Sequence, residues 1–190
     1  MLCKVSSVVI NYWLKMSAVL HNALYGSREG IGMETKTLEA NLEQQLTGIV
    51  HEPLFQVFLY VHKAYDSLDR EWCLELLRGY GMGPNLFQLL ENYWKRHRIV
   101  PKIGKCLGVA FGTGREVTQG DPSFSMIFNI VMDAVVRAVL EAVCSPQEAH
   151  HGMGYVAGER SIVFYAEDGR IAGRDHKWVQ YDLTVTVDTF

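Results

Sequence analysis

The chain has 190 residues, 48% hydrophobic and 21% charged, which excludes a disordered or low-complexity protein and provides a substantial core for one domain with at most a small appended piece. The net charge of -3 excludes a uniformly basic nucleic-acid binder, whose phosphate contacts demand excess lysine and arginine, and leaves only a local basic patch for that role.

In chain order, the N-terminal MLCKVSSVVINYWLKM is interrupted by Ser6, Ser7, Asn11 and Lys15 before the apolar core of an export signal forms. No run approaches the roughly 18 apolar residues of a membrane span. Leu38, Leu42 and Leu46 then recur four apart and predict an amphipathic helix over 34–48. FQVFLYV (55–61) has the length and composition of a strand covered on both faces. In YDSLDREWCLELLRGYG, Asp66 reads as an N-cap and Gly79 as the stop of the next helix. Another helix opens at Pro84 and carries Leu86, Leu89, Leu90 and Tyr93 on one face. Glycines punctuate 99–118 into strands and turns. From 122 to 144 the sequence is apolar except for Asn129, Asp133, Arg137 and Glu141 at four-residue intervals, the pattern of a mostly buried helix. SIVFYA and RIAGR flank Glu-Asp-Gly as a hairpin, and the segment from 175 is ambiguous. The expected fold class is α+β, an antiparallel sheet with helices packed on one side.

Cys3, Cys73, Cys106 and Cys144 form no Cys-x-x-Cys pair and have no histidine at zinc spacing. They read as reduced intracellular thiols; with no export signal and no apolar span, the expectation is a protein of the cytoplasm or nucleus that is not secreted and has no membrane partner.

FYAEDGR (164–170) sets Glu167 and Asp168 side by side at the end of an apolar run. Hard cations such as Mg²⁺ are held by several carboxylate oxygens on rigid elements, so this pair is half a metal site or a polar turn, and the stretch alone leaves both readings open.

Taken together, FLYVHKAYDSLD, GREVTQGDP with SFSMIFN, and FYAEDG resemble the ordered motifs of the reverse transcriptase (RNA-directed DNA polymerase) palm, particularly in the branch of group II intron and non-LTR retroelement enzymes. INYWL and LYGSREGIG resemble that family's fingers, and the likeness covers most of residues 10 to 175. The resemblance implies a polymerase-type palm over 51–190, truncated after the catalytic hairpin and without a thumb, behind a fingers-like segment over 1–50. It implies RNA-templated DNA synthesis, with an RNA template, a DNA primer and deoxynucleotides as partners and two Mg²⁺ ions as cofactors.

Carried over by position, the family's strand aspartate falls on Tyr60 and its hairpin pair on Glu167 and Asp168, so the implied catalytic set is Tyr60, Glu167 and Asp168 and the implied metal ligands are Glu167 and Asp168. Only Asp168 keeps the family's residue. A phenol is neutral at pH 7 and a poor ligand for a hard cation, while Glu167 keeps the charge but adds a methylene. Asp66 does not substitute, because six residues of extended chain span about 20 Å.

Tyr65 matches the aromatic under the nucleotide sugar; Gln119 and Gly120 match the loop that positions template and nucleotide; Arg28 matches a fingers arginine near them. YWKRHRIVPKIGK holds five lysines and arginines and no acid, and Lys95, Arg96, Arg98, Lys102 and Lys105 beside Tyr93 and Trp94 suit a nucleic-acid backbone and stacked bases. A solvated helix end is the plainer alternative. The expectation is a reverse transcriptase domain impaired in this copy, set against a non-catalytic nucleic-acid-binding or scaffold remnant of a retroelement protein.

Overall fold

The computed structural model describes residues 2–17, 20–26, 30–112, 121–143, 155–156 and 160–189. In chain order these form α1 (Leu2–Ser17), α2 (Met33–Ile49), β1 (Phe55–Tyr60), α3 (Ala64–Ser67), α4 (Arg70–Gly79), α5 (Pro84–Arg96), β2 (Lys102–Ile103) and β3 (Cys106–Leu107). Then follow α6 (Pro122–Val143), β4 (Tyr155–Val156), β5 (Arg160–Tyr165), β6 (Asp168–Gly173) and α7 (His176–Thr189). The chain falls into two compact units, one of Met1–Ala18 and Lys63–Phe128, the other of Val19–His62 and Asn129–Phe190.

The first unit is helical, with the short β2–β3 hairpin appended. The cap of α4 is Asp69 rather than the expected Asp66: its Oδ1 accepts from the Glu71 and Trp72 amides at 2.9 and 3.1 Å. Leu68, buried and extended, breaks the chain after α3, so Asp66 lies inside that short helix and has no following turn to cap. Gly79 is the last helical residue, and the left-handed turn beyond it belongs to Gly81, at φ 84°. Pro84 opens α5 as predicted. Trp94 stacks on Phe124, ring centroids 6.1 Å apart, with the Arg70 guanidinium over the indole. Burial, with the Asp69 carboxylate beside it, pushes the Cys73 thiol up to about 12, so it behaves as a small core residue.

The second unit holds a four-stranded antiparallel sheet in the order β1-β6-β5-β4, with α7 packed on β1 and β6. Ile162, Phe164 and Ile171 are fully buried in it. Residues 23–25 lie along β5: Phe164 donates its amide to the Ala23 carbonyl, Tyr25 donates to the Phe164 carbonyl, both at 2.8 Å, and Leu24 bridges Phe164 in parallel.

Two expectations fail here for one reason each. Strand β1 is an edge among the described residues, with Phe58 and Tyr60 exposed, not a strand covered on both faces. The helix expected over 34–48 forms as α2, but its Leu38, Leu42 and Leu46 stripe is exposed, because the adjoining stripe of Lys36, Glu39 and Glu43 finds the partners in the rest of the unit.

Candidate active site and cationic segment

The register of β1 and β6 decides what the strand tip can do. Tyr60 pairs directly with Asp168, and Asp168 pairs with Tyr165 of β5. Directly opposed residues share a sheet face with Cβ atoms about 5 Å apart, so one carboxylate stands between two phenols. Tyr60 is 66% exposed and Asp168 is exposed beside it. The hairpin turn is Ala166–Glu167, not the expected Glu-Asp-Gly, and Asp168 opens β6. Ala166 adopts φ 49°, and the Glu167 carbonyl accepts the Val61 amide at 3.0 Å, which ties the turn to the end of β1.

Two glycines hold this tip by close approach. A Cβ on Gly169 would meet the Phe164 ring at 2.6 Å and Leu59 at 3.2 Å, and one on Gly26 would meet the Ala166 amide nitrogen at 2.7 Å. Gly169 is therefore required by packing in the strand, where the sequence suggested turn chemistry.

Helix α2 reaches over the same sheet face. Alternation along β6 puts Asp168 and Arg170 on one side. Two turns of α2 separate Lys36 from Glu43, which meet them in order: Lys36 Nζ donates to the Asp168 carbonyl at 3.0 Å, and the buried Arg170 pairs with Glu43 and donates through Nε to Gln56 at 3.2 Å. Burial draws the Lys36 pKa below its ordinary value; the Asp168 carboxylate opposes that shift and the Arg170 guanidinium adds to it. Sequence reasoning missed Lys36, which lies 132 residues from its partner and in no motif.

These residues do not fit the implied pair of Mg²⁺ ions. Among the described residues no group of three His, Cys, Asp or Glu side chains is placed to hold a metal ion. The position opposite Asp168 offers a phenol where hard cations take carboxylate oxygens.

Of the other implied positions, Arg28, Gln119 and Gly120 lie outside the described residues. Tyr65, in the first unit, stacks on Phe128 with ring centroids 4.5 Å apart. The Gln-Gly-Asp-Pro motif is visible from Asp121, which caps the N-terminus of α6. Its Oδ1 accepts from the Ser123 amide at 3.0 Å and hydroxyl at 2.7 Å, and its two oxygens also take the hydroxyls of Ser7 and Tyr93. Burial raises the Asp121 pKa, but the Ser7, Tyr93 and Ser123 bonds outweigh it and hold the carboxyl below its ordinary value.

Asp121→Ala is expected to cost about 1–2 kcal/mol in urea denaturation at pH 7, the usual value of a lost cap. With the folded pKa depressed, the contribution is complete above the unfolded value of 3.8 and is lost as pH falls through the folded one. The gap between parent and variant therefore closes in acid.

All five predicted cations, Lys95, Arg96, Arg98, Lys102 and Lys105, lie in the first unit and are exposed. Lys95 pairs with Glu91 at 2.9 Å, and Arg98 is spent on the Lys95 and His97 carbonyls. Among the described residues the side chains of Arg96, Lys102 and Lys105 make no hydrogen bond or ion pair. Arg96 lines a cleft of about 530 Å³ together with Asn92, Tyr93 and His97. Burial and the Arg70 charge lower the His97 pKa against the pull of Asp121, and its Nδ1 is buried without a partner among the described residues. The aromatics are not free platforms as expected: Trp94 is in the core and Tyr93 is bound to Asp121.

No protein-family model matches the chain. Over 158 residues it is 28% identical to a retrovirus-related Pol polyprotein from type-1 retrotransposable element R2 of Nasonia vitripennis, covering 82% of this chain and 14% of that protein. The fold is similar to apo telomerase from Candida tropicalis truncated from its C-terminal domain, with TM-score 0.61 and 11% identity over 98% of this chain and 36% of that one. It is also similar to telomerase from Candida albicans in complex with a TWJ fragment of telomeric RNA, with TM-score 0.56 and 12% identity over 100% of this chain and 32% of that one. The chain thus spans well under half the length of each. It shares the α+β fold of the telomerase structures and is similar in sequence to the retroelement polyprotein over most of its own length.

Proposed function

We propose that this chain is the fingers-and-palm part of a retroelement RNA-directed DNA polymerase that engages an RNA template and DNA primer, and that its two-metal nucleotidyl transfer to deoxynucleotides is impaired. The observation that carries this reading is the register of Tyr60 against Asp168. It supports a palm-like strand tip in which one of the implied acids is a phenol. The telomerase relative bound to an RNA fragment and the retroelement protein support nucleic acid as the partner. Such work would take place inside the cell, in cytoplasm or nucleus. Among the described residues no helix is long and apolar enough to cross a membrane.

A second reading, a non-catalytic nucleic-acid-binding remnant, is favoured by the exposed cations at the end of α5 and after it. Both readings require primer–template binding, which fluorescence anisotropy with a labelled RNA–DNA primer–template measures. The logarithm of the binding constant should fall linearly with the logarithm of salt concentration. The triple variant Arg96→Gln, Lys102→Gln, Lys105→Gln should reduce the magnitude of that slope by about 2–3, about one for each phosphate no longer neutralised. Binding with no salt dependence, or a slope unchanged in the triple variant, would remove the cationic segment from the interface; no binding at all would defeat both readings.

A further inference from the structure

We propose that Lys36 is the resident cation of the strand tip: its ammonium holds the place beside Asp168 that the palm resemblance reserves for a divalent metal ion. This rests on the reading that positions 60, 167 and 168 form a palm-type tip, and adds that the tip is closed to metal ions by an opposing charge as well as by a lost ligand.

The lysine is delivered by a pinned helix. Seven residues on, Glu43 is fixed by the buried Arg170, and between them Glu39 accepts the Tyr25 hydroxyl at 2.6 Å. That anchoring sets Lys36 Nζ at 3.0 Å from the Asp168 carbonyl. An ammonium is a compact point charge with three donors. One donor is spent on that carbonyl; the ammonium makes no ion pair with the Asp168 carboxylate and acts on it through its field across the strand end. A divalent ion approaching Asp168 would meet a positive charge already in position, in a site where Tyr60 offers no negative charge to offset it. Restoring the acid at position 60 therefore does not by itself restore a metal site.

The test is Mn²⁺ affinity of the full chain, read as free Mn²⁺ by electron paramagnetic resonance without nucleic acid or nucleotide. Tyr60→Asp alone should bind weakly. Adding Lys36→Met should tighten binding by about tenfold, equivalent to about 1.4 kcal/mol. Lys36→Gln, which keeps a donor for the Asp168 carbonyl, should give the same gain. Lys36→Arg, which keeps the charge, should give none. Equal affinity of Tyr60→Asp with and without the neutral substitutions, or a gain with arginine as large as with methionine, overturns the proposal. Because no nucleic acid is present, that outcome leaves the primer–template reading standing, and loss of primer–template binding would not produce it.

Discussion

Arg160→Ala is expected to lower stability by about 3–5 kcal/mol, the range for removing one partner of a buried ion pair. Asp182 of α7 is 0% exposed, and its Oδ1 accepts from Arg160 at 3.1 Å. Its Oδ2 has no partner among the described residues. The guanidinium also donates to the Val143 carbonyl at 3.3 Å and lies 4.7 Å from the Trp178 ring centroid, so it joins the end of α6, β5 and α7. Burial raises the Asp182 pKa and Arg160 counteracts that. Without Arg160 the carboxyl would take up a proton on folding. An acid with a raised folded pKa loses stability as pH rises, so the deficit of the variant narrows as pH falls toward the unfolded value of 3.8. Urea denaturation at neutral and acid pH checks both points. A deficit below about 1 kcal/mol at pH 7 would mean that the pair contributes no more than an exposed one.

Phe164→Ala should cost about as much, roughly 3–5 kcal/mol, as expected for a large ring removed from a packed interior. Its side chain is 0% exposed, and its ring fills the space over Gly169. The same contact predicts that Gly169→Ala costs about 1–3 kcal/mol by overpacking, since the ring is confined and Leu59 stands on the other side. Combined, the two substitutions should cost less than their sum by about 0.5 kcal/mol or more, because the space vacated by the ring receives the added methyl. Strict additivity in a denaturation cycle would show that the ring does not govern Gly169. The coupling concerns the site directly, since Gly169 follows Asp168 and any shift of β6 moves that carboxylate.

Much of this architecture was legible in the sequence, where local chemistry decides it. Pro84 at the start of α5, the apolar run with a four-residue polar stripe for α6, and Asp121 as a cap each follow from neighbours in the chain. What was not legible depended on partners distant in sequence. The leucine stripe of α2 reads as a buried face, yet the links from Glu43 to Arg170 and from Lys36 to β6 turn the adjoining polar stripe inward. The apolar FQVFLY reads as a strand covered on both faces, and only the sheet order reveals it as an edge among the described residues. Asp66 reads as the cap, and the extended backbone at Leu68 moves that role to Asp69. At the site, the resemblance aligned Tyr60 with the missing acid. The register then set that phenol against Asp168, and Lys36 emerged only from tertiary contact.

The central claim, a reverse-transcriptase-like tip whose chemistry is impaired by its own side chains, is tested most directly by primer extension on an RNA template with Mg²⁺ or Mn²⁺. The unmodified chain should give no extension above background, with the variant Tyr60→Asp, Glu167→Asp, Lys36→Met measured beside it on the same primer–template. Robust extension by the unmodified chain, with Tyr60 and Lys36 in place, would contradict the account.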